Sequence, residues 1–126
     1  MPLVTLTTCK SHTLEMKSAV LDAIHAALVS IGVPSADRFQ RVIELSPDNV
    51  RIDDRYPDVA GTRGDNFLLI EILWSVGRSV KVKRALLTDL MTRLAGVGVD
   101  TEQVMVVFKE TGWENWSFAG GRLLHA

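Results

Sequence analysis

Residues 14–33 read Leu14-Glu15-Met16-Lys17-Ser18-Ala19-Val20-Leu21-Asp22-Ala23-Ile24-His25-Ala26-Ala27-Leu28-Val29-Ser30-Ile31-Gly32-Val33. Shifted by 66 residues, without a gap, this segment falls on Val80 to Val99. Lys17 meets Lys83, Ala19 meets Ala85, Leu21 meets Leu87, Leu28 meets Leu94, and Gly32-Val33 meets Gly98-Val99. The apolar positions Leu14, Leu21, Ile24, Leu28 and Ile31 have apolar partners Val80, Leu87, Leu90, Leu94 and Val97. Steps of three, four and seven put such residues on one stripe of an amphipathic helix. A glycine behind the stripe stops the helix. Chance matching would not keep both the stripe and the stop.

The repeat extends outward. Leu3 falls on Leu69, Glu44 on Glu110 and Asn49 on Asn115. Each half reads strand, helix, strand. The first half has a β-branched-rich strand over residues 2–8, an N-cap at Thr13 with Glu15 in the first turn, a helix to about Ile31, and a strand from Phe39 to Leu45. The second has a strand at about Phe67–Trp74, an N-cap at Ser79, a helix to about Val97, and a strand at Val104–Lys109. The repeats span about 2–49 and 66–115. Residues 46–65, rich in Gly, Pro and Asp, join them as a loop or short hairpin. The expected fold is one α/β domain over residues 1–126, an α+β two-layer sandwich. Two pseudo-symmetric βαβ units form a four-stranded sheet with both helices on one face. Phe67-Leu68-Leu69-Ile70-Glu71-Ile72-Leu73-Trp74 is apolar on both sides, which predicts a second cover for the sheet from another subunit.

Composition narrows the function. The chain of 126 residues is 47% apolar and 23% charged, as a globular domain is. A net charge of −1 argues against nucleic-acid and anionic-membrane partners. No apolar run is long enough to span a bilayer, and the start lacks the basic region of a signal peptide. The lone Cys9 cannot form an internal disulfide, and His12, His25 and His125 lack metal-ligand spacing. A cytoplasmic setting with no cofactor is expected. The positive mean hydropathy also points to surface covered by other subunits.

Pro2 follows Met1 and opens the first strand. Methionine before proline is usually removed after synthesis, which would leave Pro2 as a free secondary amine. Such an amine has no flexible tether, so a strand can hold it rigidly at a pocket. Desolvation or nearby cations would tune it to a base, and a nearby carboxylate would keep it a charged acid. The plain alternative is an unremarkable second residue.

An amino-terminal proline opening the first strand, two βαβ halves and a self-associating sheet resemble the tautomerase superfamily. Gly32-Val33-Pro34-Ser35-Ala36-Asp37-Arg38-Phe39-Gln40, Gly77-Arg78-Ser79 and Trp116-Ser117-Phe118-Ala119-Gly120-Gly121-Arg122 resemble stretches of its malonate semialdehyde decarboxylase branch. The resemblance implies a homotrimer without a cofactor, acting on a small oxo acid. It implies Pro2 as the catalytic amine and Asp37 as its assistant or the activator of a water. It implies Arg78 as the carboxylate anchor, with Trp116 and Phe118 as an apolar pocket wall. The chain departs from that branch at Val76, where the decarboxylase pattern has a second arginine two positions before the first.

The residues also carry readings of their own. Arg78 precedes a helix N-terminus, where free N–H groups favour an anion, and its planar fork suits a carboxylate. It could equally be a surface arginine near a cap. Asp37 suits a turn or cap role. Trp116 and Phe118 are ordinary packing residues as well as a possible wall. Arg122 could meet an anion or cover a subunit edge. His25 reads as packing or subunit contact, Cys9 as structural, and Asp53-Asp54-Arg55 as a solvated loop. The expected function is decarboxylase or hydratase chemistry on a 3-oxo acid such as malonate semialdehyde. Keto–enol tautomerisation of the 4-oxalocrotonate or phenylpyruvate type is the alternative. A non-catalytic trimeric binding module that keeps Met1 is a third reading.

Overall fold

The computed structural model describes residues 1–124, so His125 lies outside the described residues. Strand β1 (Leu3–Thr8) leads through helix α1 (Leu14–Ser30) to β2 (Phe39–Glu44). Strand β3 (Leu68–Ser75) leads through α2 (Val80–Gly96) to β4 (Val104–Thr111). The sheet order is β2-β1-β3-β4. The outer pairs are parallel, and β1 and β3 run antiparallel at the centre. Among the described residues no helix is long and apolar enough to cross a membrane.

The repeat is kept in chemistry as well as shape. Both helices have 17 residues and begin at hydroxyl caps. Thr13 accepts from the Met16 N–H at 3.1 Å, and Ser79 accepts from the Val82 N–H at 3.2 Å. Both end at glycines with positive φ, 105° at Gly32 and 88° at Gly98. Only glycine takes that conformation without strain. Lys17 pairs with Glu44 at 2.5 Å, and the repeat partners Lys83 and Glu110 form the same bridge. Each bridge ties a helix to the end of the strand that follows it.

The core lies between the helices and one sheet face. Val4, Leu6, Ile70, Ile72 and Trp74 meet Val20, Ile24, Ala27, Leu28, Leu86, Leu90 and Leu94. The buried helix stripe therefore differs from the expected one. It runs Val20, Ile24, Leu28 and, 66 residues on, Leu86, Leu90, Leu94. Leu14 and Val80 are 75% and 61% exposed, because each stands at the first helical position, where the helix has not yet reached the core.

Among the described residues, both helices pack on that face and neither on the other. The outer rows of the other face are largely apolar: Phe39, Leu3 and Leu73, ending at Lys109, in one, and Ile43, Thr7, Leu69 and Met105 in the other. Phe39 is 50% and Met105 46% exposed. The middle row is polar, and Glu71 is the outward residue of β3 that stands in it. Arg41, Thr5 and Glu71 stand there, with Arg41 Nε donating to Thr5 Oγ1 at 2.9 Å. Glu71 pairs with Lys109 at 2.7 Å.

Candidate active site

Strand register assembles the site. Leu3 lies between Phe39 of β2 and Leu73 of β3. The residue before Leu3 is therefore set beside the turn that enters β2 and the end of β3. The first supplies Asp37, and the second supplies Trp74, Ser75 and, past a turn at Gly77 (φ 114°), Arg78. Pro2 is fully buried at this junction, under 2% exposed.

The Asp37 turn is held on both sides. The Asp37 N–H donates to the Pro34 carbonyl at 3.0 Å, and Val33 N–H to the Leu28 carbonyl at 3.2 Å. His25 of α1 bonds the Ser35 carbonyl through Nε2 at 2.8 Å. The histidine read as packing thus also anchors the loop that carries the acid. Asp37 is 9% exposed. Its Oδ2 lies 3.9 Å from the Met1 amine, and its Oδ1 is buried with no hydrogen-bond partner.

Arg78 folds back over the end of β3. Its Nη1 donates to the Ser75 carbonyl at 2.8 Å, and its guanidinium carbon stands 4.2 Å from the Trp74 ring centre. This is cation–π distance. Trp74 stacks on Phe108 at 5.0 Å, which fixes the indole under the arginine. Burial pulls the Arg78 guanidinium down from its ordinary value, while the charges of Glu110 and Asp37 act to raise it. The Met1 amine that begins the chain feels Asp37 and Arg78. Burial lowers it most, Asp37 raises it, Arg78 lowers it, and the net shift is downward.

Trp74 Nε1 and Ser75 Oγ are also buried without partners. Three unpartnered polar atoms thus sit on the segments that converge on Pro2. Buried polar groups are normally paired, so such a cluster suits a site that a ligand completes. Trp74 and Ser75 escaped the sequence reading because they look like strand core. Their signal was a break in the repeat, since their partners are Thr8 and Cys9.

The structure brings the chain start, Asp37 and Arg78 together. Trp116 and Phe118 stack on each other at 5.8 Å and 16°. Among the described residues no hydrogen bond or ring contact joins them to Asp37 or Arg78. Cys9 is buried, in keeping with a structural role.

A family profile described as a tautomerase enzyme matches residues 37–119. The chain belongs to this tautomerase family. Solved structures similar to this chain include the FG41 malonate semialdehyde decarboxylase inhibited by 3-bromopropiolate. It is 25% identical with a TM-score of 0.86, over 96% of this chain and 92% of that one. A malonate semialdehyde decarboxylase described with decarboxylase and hydratase activities is 28% identical, with a TM-score of 0.86 over 96% and 93%. A fused 4-OT, a symmetric trimer, is 28% identical with a TM-score of 0.72 over 96% and 94%. No curated protein matches this chain.

Proposed function

We propose that this tautomerase-family chain is a cofactor-independent enzyme whose working group is the amine of Pro2, freed by removal of Met1. Its substrate is a small 3-oxo acid such as malonate semialdehyde, and its reaction is decarboxylation or hydration. The observation that carries this reading is the Asp37 carboxylate, buried beside the chain start with one oxygen unpartnered. An anion so placed favours a protonated amine. The similarity in fold to two malonate semialdehyde decarboxylases supports the substrate class.

In the decarboxylation, Arg78 orients the substrate carboxylate through its planar fork. The cationic Pro2 polarises the 3-oxo group. The bond between the carboxylate carbon and its neighbour breaks, and its electron pair enters the carbonyl as an enolate. CO2 leaves, and a proton then returns to carbon. In the hydration, Asp37 positions the water. Trp116 and Phe118 serve as the apolar wall once subunits assemble. The proposed assembly is a homotrimer, as the fused 4-OT is, with the uncovered sheet face as its interface.

A second reading has its own observation. Burial lowers the Met1 amine at this junction, and a Pro2 amine desolvated in the same way would be neutral and hence a base. A base would move protons between carbon and oxygen, as in keto–enol tautomerisation. The pH–rate profile separates the two readings. Decarboxylation through the cation is lost as pH rises through the amine pKa. Tautomerisation through the base rises with pH over the same window. CO2 release from malonate semialdehyde with an alkaline fall supports the first. A climbing profile without CO2 overturns it in favour of the second.

A further inference from the structure

The repeat gives the sheet two equivalent ends, and only one is plugged. At the Pro2 end the plug is Trp74, fully buried under Arg78. The repeat partner of Trp74 is Thr8, and the partner of Arg78 is His12. A hydroxyl thus replaces an indole at the opposite end, and a cavity of about 150 Å³ stands between sheet and helices there. Leu6, Val20, Leu68 and Val99 line it, with Thr8, His12, Lys17, Asn66 and Asp100 as polar neighbours. A mainly apolar cavity of about this volume is large enough for benzene.

The polar groups select among ligands. The Thr8 hydroxyl is committed to the Lys10 carbonyl at 2.9 Å. Lys17 is paired with Glu44 at 2.5 Å. Asp100 accepts from the Glu102 N–H at 3.0 Å. His12 Nε2, in contrast, is buried with no partner. With the lining cation already paired and a carboxylate nearby, an anion gains little here. A hydroxyl can donate or accept, so it suits either neutral tautomer of the imidazole.

We propose that this cavity is a second ligand site, separate from the Pro2 end. It takes a compact, uncharged molecule of about one ring, carrying a single hydroxyl that bonds His12 Nε2. This inference is independent of the catalytic reading.

Phenol, benzene and benzoate are the probes, added to the full-length protein while backbone amide shifts are followed. Phenol should give saturable shifts, in the millimolar range, at Leu6, Thr8, Val20, Leu68 and Val99. Benzene should bind about five-fold more weakly for want of one hydrogen bond, and benzoate more weakly than phenol. Thr8→Trp, which copies the plug of the other end, should abolish phenol binding and leave oxo-acid turnover unchanged. His12→Leu should keep benzene binding and erase the advantage of phenol. Absence of saturable shifts with phenol overturns the proposal, as do shifts confined to the Pro2 end or wild-type phenol affinity in folded Thr8→Trp. If Thr8→Trp does not fold, the His12→Leu comparison decides, and a phenol advantage that persists there overturns the proposal.

Discussion

Asp37 holds a carboxylate that is almost fully buried yet leaves Oδ1 unpartnered. Its charge raises the Met1 amine, while burial and Arg78 lower it. Once Met1 is removed, the same anion and cation should act on the Pro2 amine, so Asp37→Asn should lower its pKa. For a reaction that needs the cation, the alkaline limb of kcat/KM should then move to lower pH. Arg78→Gln removes a lowering charge and should move the limb the other way, while raising KM for an acid more than for its ester. A pH–rate series on both variants checks this, and limbs that do not move would uncouple these residues from the amine. Pro2 stood out behind Met1 at a strand start and Arg78 before a helix, while Asp37, ordinary in a turn, was singled out through the family resemblance. Their meeting was not legible from spacing, since strand register alone joins positions so far apart in the chain. Trp74 and Ser75 were hidden because a strand end and a site wall use the same residue types.

At the scale of elements, the two helices are near copies and should lose stability alike. Thr13→Ala and Ser79→Ala each remove one side-chain acceptor from an exposed helix start. Each should cost about 1 kcal/mol in urea unfolding, and the double variant about 2 kcal/mol, because distant sites add. A large loss from one cap and none from the other would contradict the equivalence of the halves. Helix limits were legible because caps and glycines are local signals. The buried stripe was less so. Leu14 and Val80 fit the helical period, but periodicity does not say where the core begins beneath a helix.

For the whole molecule, the open sheet face carries apolar rows at Phe39, Ile43 and Met105 around a polar middle row. The proposed trimer covers it. Sedimentation equilibrium should give three times the 13.9 kDa protomer, and Ile43→Lys should shift the population to monomer. A stable wild-type monomer at micromolar concentration would contradict this. The sequence pointed to a second cover because one face could not bury all of β3. It did not place Glu71 and Arg41 in a polar row, since that depends on which strands become neighbours. The central claim is that the amine of Pro2 does the chemistry, and its most direct test compares two forms of one protein. Intact mass identifies a form that begins at Pro2 and a form that keeps Met1, and each is assayed on malonate semialdehyde and on phenylpyruvate. The form beginning at Pro2 should turn over one of them, and the Met1 form should be slower by about 10²- to 10⁴-fold. Equal activity in the two forms would contradict the account.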